Sequence, residues 1–235
     1  MAKISSLNYV EKIKTAYKSR PRQIKPEIFL FSGIMLAAVF AFISFSVFIH
    51  PEGERFCYNF YLEVGSISIL SATTLTTAAL IAYISFFISP NSKKKQKVFF
   101  LIAAIALTYL AVDEVMQFHE NIGTNLDHIR FFRKLIAWTG VHSWNDMIII
   151  IYGLVALPVL IYVLPTIFEI PYIAEYFVIA FICYVIHTTI DASFRPPTTA
   201  SYIFEESAKL YTSTFMALGL LSGLQFLIKS RNKIT

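Results

Sequence analysis

Glu27-IFLFSGIMLAAVFAFISFSVFI-His50 carries no charged side chain between its ends. About 20 mostly apolar residues in a helix cross the roughly 30 Å hydrocarbon layer of a bilayer. The stretch is too long for the apolar region of a cleaved signal peptide, and it closes on Val47-Phe48-Ile49-His50 rather than on small residues. It reads as a retained span. Five blocks of the same kind follow, at about 59–89, 98–120, 145–168, 171–191 and 204–229. They are separated by Pro51-Glu-Gly53, Pro90-Asn-Ser92, Asn121-Ile-Gly123, Pro171 and Arg195-Pro-Pro197. Pro158 falls inside the fourth block and predicts a kink there.

The whole chain agrees with its first block. Of 235 residues 56% are hydrophobic and 15% charged, with a mean hydropathy of +0.61. Soluble domains carry about 25% charged residues. A soluble domain and a disordered chain are both excluded. The expected fold class is an all-α polytopic membrane protein, a six-transmembrane-helix bundle over 27–229.

Lys and Arg set the orientation of such a bundle. Fourteen lie in the segment before the first span, in the loop after the second, or in the tail. Five (Arg55, Arg130, Arg133, Lys134 and Arg195) lie on the opposite side. This bias predicts cytoplasmic termini, with 230–235 as a short tail, and a multi-pass protein of the cell membrane. The formal charge of +5 then reflects topology and membrane lipid, not nucleic acid. Cys57 and Cys183 stand at different depths, so no disulfide is expected. In segment 1–26, Leu7, Val10, Ile13 and Tyr17 recur at helical spacing among lysines, which suits an amphipathic helix on the membrane surface. In 121–144, Thr124-Asn-Leu-Asp127 resembles a capping box, and Leu126, Ile129, Phe132 and Ile136 predict an outer interfacial helix. Asp127 and His128 read as solvated loop residues, and Trp138 and Trp144 as markers of the outer interface. Gly219-x3-Gly223 has the spacing of a helix-packing face and offers a route to an oligomer.

Acids and histidines gather opposite the cations. On the expected topology all five histidines and eleven of fifteen acids lie on the outer side. The third block ends in Asp113-Glu114-x4-His119-Glu120, and a continuous helix puts Asp113, Gln117 and Glu120 on one face. A charge well inside a bilayer costs about 2.5–3.5 kcal/mol on the insertion scale, so these acids need protons, partners or a metal. His142-x3-Asp146 opens the fourth block and His187-x3-Asp191 closes the fifth, each with a two-ligand spacing for a divalent cation. Glu205, Glu206 and Lys209 open the sixth, where Lys209 can pair with either acid, and Glu63 starts the second.

The expected site follows from these groups. Two or three of His119, His142, Asp146, His187 and Asp191 are expected to hold a divalent metal, Zn, Fe or Mn. Asp113, Glu114 and Glu120 are general acid or base, and Glu63, Glu205, Glu206 and Lys209 support them. The expected function is a metal-dependent enzyme acting on a lipid or amphiphile from the outer side. The alternatives are a proton- or metal-coupled transporter and a structural subunit with a polar packing network. The Asp113-Glu114-x4-His119-Glu120 end, with Glu205-Glu206 opening a later helix, resembles small prokaryotic polytopic membrane proteins of unknown function. That resemblance implies no activity. The alkaline-ceramidase type of intramembrane zinc hydrolase is comparable in chemistry class. Those enzymes join a Ser, an Asp and three His at one membrane level. Here Asp191 stands where the second histidine of a late helix would be, and the second span has no Ser-x3-His pair.

Overall fold

The computed structural model describes residues 2–20, 26–49, 58–61, 65–139, 141, 143–193 and 198–232. All regular structure among them is helical: α1 (Ala2–Ser19), α2 (Pro26–Phe48), α3 (Tyr58–Tyr61), α4 (Ser66–Ile88), α5 (Lys94–Met116), α6 (Phe118–His128), α7 (Arg130–Thr139), α8 (Trp144–Glu169), α9 (Ile173–Ser193) and α10 (Thr199–Asn232). Six of these, α2, α4, α5, α8, α9 and α10, are long and apolar enough to cross a membrane, as in a multi-pass membrane protein.

Helix α10 is the centre of the bundle. It packs on α9, α4 and α2, and α4 pairs with α5. Half (50%) of the apolar stretch of α10 is buried inside the protein, against 11% of α8, so α8 is the least covered of the six. Close approach to α10 depends on small residues. A Cβ on Gly219 would stand 2.9 Å from the Phe177 ring, and one on Gly223 2.6 Å from Ile173 Cδ1. Both glycines are buried, so the small-residue face is used between α10, α9 and α5 of this chain. Lipid supplies no water for polar groups. Thr73, Thr74, Thr76, Thr77 and Ser85 of α4 accordingly donate to carbonyls four residues back at 2.8–2.9 Å.

Several boundaries differ from the sequence reading. The second span begins at Ser66, not near Asn59, and the short α3 precedes it. From α3, Asn59 Nδ2 donates to the Ser46 and Ile49 carbonyls at 3.2 and 2.6 Å, which closes the end of α2. The third span stops at Met116, because Gln117 takes a left-handed conformation (φ 52°, ψ 42°). The last span begins five residues earlier than expected, at Thr199. Thr198 and Ser201 cap it reciprocally: Ser201 N–H donates to Thr198 Oγ1 at 3.1 Å, and Thr198 N–H to Ser201 Oγ at 2.8 Å.

Helix α1 divides the stripe read from sequence, with Ile13 on its packed face. Val10 and Tyr17 are exposed, while Ala16 is buried. The packed face is Tyr9, Ile13, Ala16 and Arg20, again at helical spacing. It lies beside the last half of α8. Tyr17 meets Phe168 edge-on, Tyr9 donates to the Ile161 carbonyl, and Arg20 pairs with Glu175 while its guanidinium covers the Tyr17 ring at 3.9 Å. Beyond α8 the chain turns through Tyr172 (φ 65°), and Ser222 Oγ donates to the Pro171 carbonyl at 2.7 Å.

Candidate functional site

The break at Gln117 decides the geometry of the site. A non-glycine residue in the left-handed region costs about 1–3 kcal/mol, and Asp113 supplies an offset. Its Oδ1 accepts the His119 main-chain N–H at 3.0 Å, so the carboxylate satisfies an otherwise unpaired donor in the first turn of α6. Its Oδ2 stands 2.8 Å from Nδ1 of the His119 ring. Asp113, Gln117 and Glu120 therefore do not share one helical face. Asp113 sits in the last turn of one helix and grips the first turn of the next. It is 4% exposed.

His119 is held on its Nδ1 side, and its Nε2 stands 3.7 Å from Glu120 Oε1. The Glu120 side chain is 39% exposed, so this edge of the ring faces outward. Burial opposes charge on the imidazole, but the hydrogen bond and charge of Asp113, with Glu120 and Glu114 adding, hold it above its ordinary value.

The second part of the site is centred on Lys209. Its ammonium lies 2.8 Å from Glu206 Oε1 on the same helix, 2.9 Å from Glu114 Oε1 on α5, and 3.5 Å from Ser68 Oγ on α4. The three charged side chains are 21%, 13% and 16% exposed. Glu206 and Lys209 stand about two and three turns inside α10 rather than opening it, and Glu114 lies in the last turn of α5. Sequence spacing gave the pairing with Glu206. The partner on α5 depends on helix order, which no spacing reveals.

His187, Glu205 and Asp191 adjoin this pair. His187 feels the charges of Lys209 and His119 and reaches the Glu205 main chain, while its Nδ1 is buried with no hydrogen-bond partner. Glu205 feels Asp191, Glu206 and Lys209. Asp113, Glu114, His119, Glu120, His187, Asp191, Glu205, Glu206 and Lys209 thus belong to one end of the bundle. Among the described residues no group of three or more His, Cys, Asp or Glu is arranged to hold a metal ion. His142 and Glu63, expected as ligand and support, lie outside the described residues, as does Cys57.

The start of α8 is capped locally. The helix begins at Trp144 behind a Ser143 cap, and the Asp146 main-chain N–H donates to Ser143 Oγ at 3.3 Å. Thr124 does not start a helix. It lies inside α6, and the break comes at Ile129. Asp127 is not a solvated loop residue, because its Oδ2 accepts the Trp144 N–H at 3.4 Å. His128 is exposed at the end of α6. Trp138 is exposed, but Trp144 is buried and its indole N–H donates to the Phe132 carbonyl at 2.9 Å.

Gly123 fixes α6 against α8. A Cβ there would stand 2.5 Å from the Asn145 main-chain nitrogen and 2.8 Å from its Cα. The sequence reading took Gly123 as a turn signal, whereas it serves a close helix crossing. The strongest signal missed was Asp113 as a cap for α6, because a left-handed glutamine leaves no mark in sequence.

The chain belongs to the family described as Domain of unknown function (DUF8692), whose model matches residues 45–223 and so takes in every residue of this site. No curated protein and no solved structure matches it.

Proposed function

We propose that the acidic end is an acid–base site acting on the polar head of a membrane amphiphile, with His119 as the proton-transferring group and Asp113 as its positioning residue. The observation that carries this reading is the two-point grip of Asp113 on His119, at the main-chain N–H and at Nδ1. Such a grip fixes the ring, places a proton on Nδ1 and leaves Nε2 to work. Nε2 is on the side of Glu120, the more exposed acid, where a headgroup hydroxyl or leaving oxygen would arrive. The raised proton affinity of His119 suits a group that both takes and returns a proton near neutrality. Lys209 balances Glu114 and Glu206 and gives a phosphate or carboxylate head a cation to approach. A divalent metal is not required by this reading, because His119 and Lys209 already give the acids cationic partners.

The cation bias supports an orientation with the basic end in the cytoplasm and this site on the outer side. In a Thr198→Cys chain an impermeant maleimide should then label from outside the cell.

The acid–base reading has a chemical and a thermodynamic test. Membrane lipids from cells expressing the unaltered chain should differ in headgroup composition from those of cells expressing His119→Gln. Identical lipid profiles, with both chains folded, would sink the reading. The second test is stability against pH. A raised folded pKa contributes stability that is fully present below the ordinary value of 6.5 and is lost as pH rises through the higher folded value. The melting temperature should fall across that window in the unaltered chain, and its slope should flatten in His119→Gln.

A further inference from the structure

Helix α7 presents three different sides. Phe132 and Ile136, four residues apart, face the protein. Ile136 is buried, and Phe132 meets Trp144 edge-on with ring centres 5.3 Å apart. Phe131, Leu135 and Trp138 form a second apolar stripe, spaced four and three, which is turned away from the bundle and is 68%, 40% and 85% exposed. Arg130, Arg133 and Lys134 occupy the remaining side and are all exposed.

The level at which α7 is held determines what the second stripe meets. Trp144 is the first residue of α8, a helix long and apolar enough to cross the membrane, and it binds α7 by both its ring and its indole N–H. Helix α7 therefore sits where α8 leaves the hydrocarbon. An apolar stripe at that level meets the acyl-chain boundary, and a row of cations beside it reaches the phosphates. The rest of this end is rich in acids, which repel anionic headgroups, so the three cations of α7 create a local attraction that the surroundings lack.

We propose that α7 is a docking surface for the anionic headgroups of the adjoining leaflet. Phe131, Leu135 and Trp138 insert among the chains, and Arg130, Arg133 and Lys134 bind phosphate. This assignment does not depend on the acid–base reading of His119. The stripe alone gives affinity for any lipid, whereas preference for anionic lipid belongs to the cations.

The two tryptophans of the chain provide the test. Trp144 is buried and Trp138 is exposed, so a Trp138→Phe chain supplies the Trp144 background, and the difference reports Trp138 alone. The protein is placed in phosphatidylcholine nanodiscs in which a fixed minor fraction of lipid carries brominated chains. That fraction is either phosphatidylglycerol or phosphatidylcholine. Brominated phosphatidylglycerol should quench Trp138 at least about twofold more strongly at low salt, and the excess should shrink as salt screens the cations. In an Arg130→Gln/Arg133→Gln/Lys134→Gln chain the excess should vanish while quenching by both lipids remains. The comparison of two lipids in the unaltered chain decides the matter even if that variant fails to fold. Equal quenching by both lipids would overturn the anionic preference. Quenching by neither would show that water or another protein covers the stripe, and would overturn the docking surface itself.

Discussion

At the basic end of the bundle Lys14 and Glu11 meet at 3.3 Å with their side chains 62% and 63% exposed. At the acidic end Lys209 lies between Glu206 and Glu114 at 2.8 and 2.9 Å, and none of the three is more than 21% exposed. The same pair of charge types has a different meaning in each place. An exposed pair exchanges water for a partner at little gain, with a median of about 0–1 kcal/mol before screening. A buried pair has given up its water, and each member depends on the other. Lys14 has little besides that exposed pair to hold it in place. Lys209 is explained only by its neighbours, and this makes its surroundings the candidate site.

The largest effect expected from breaking that contrast is at Lys209. Lys209→Met leaves Glu114 and Glu206 facing each other without a cation. Removing one partner of a buried pair typically costs about 3–5 kcal/mol, so the variant should melt far below the unaltered chain in detergent, or fail to accumulate. Adding Glu114→Gln and Glu206→Gln to it should recover most of the loss, because the uncompensated charges are then gone. Lys14→Met should be close to neutral. Equal melting temperatures for Lys209→Met and Lys14→Met would show that the acidic end is no more dependent on its pairs than the basic one.

How much of this was legible in the sequence follows from the range of the interactions. The six spans were readable because each is a local run of apolar residues, and lipid demands nothing else of them. The gathering of acids and histidines at one end was readable for the same reason, since it needs only depth along each helix. Lys209 with Glu206 is an i, i+3 pair and was also within reach. Lys209 with Glu114 joins α10 to α5 and depends on helix order. The turn at Gln117 is held by a carboxylate four residues before it and by contacts of α6 with α8, so the motif read as one helix is split between two. Asp127 looked like a loop residue because its partner, the Trp144 N–H, is seventeen residues away. On α1 the share of Tyr9 and Arg20 in the packed face was not legible, because both are polar at their tips yet pack through ring and stem.

A smaller effect is expected where α6 is mounted on α8. The ideal Cβ of Gly123→Ala would fall 2.5 Å from the Asn145 nitrogen, which is main chain and does not yield as a side-chain tip does. Forcing an extra carbon into a packed crossing costs about 1–3 kcal/mol. The displacement should also weaken the grip of Asp113 on His119, so the fall in melting temperature with rising pH should become shallower. Gly33→Ala and Gly153→Ala are the controls. Nothing lies within 4 Å of either Cβ position, and both are within spans. Alanine there should be neutral, or stabilising by up to about 1 kcal/mol through helix propensity. A Gly123→Ala chain that behaves like these two would mean that the crossing is loose and that α6 is not held by it.

The smallest effect is expected at the basic end, and it tests whether that end contains any polar contact of its own that matters. Pro165 has no N–H, so the carbonyl four residues before it, that of Ile161, loses its partner within α8. The Tyr9 hydroxyl of α1 donates to that carbonyl. If the contact exists because of the proline, Tyr9→Phe should cost about 0.5–1.5 kcal/mol, the net worth of one hydrogen bond, and should raise amide exchange in α1. In a Pro165→Ala background the alanine N–H can take the Ile161 carbonyl, and the cost of Tyr9→Phe should fall towards zero. In a Pro158→Ala background it should be unchanged, because Pro158 frees the Leu154 carbonyl instead. The difference between these two double-mutant cycles isolates the coupling from any general loosening of α8. A cost that is the same in all three backgrounds would mean that Tyr9 packs against α8 without answering Pro165. Its hydroxyl would then count for no more than the exposed Lys14–Glu11 pair.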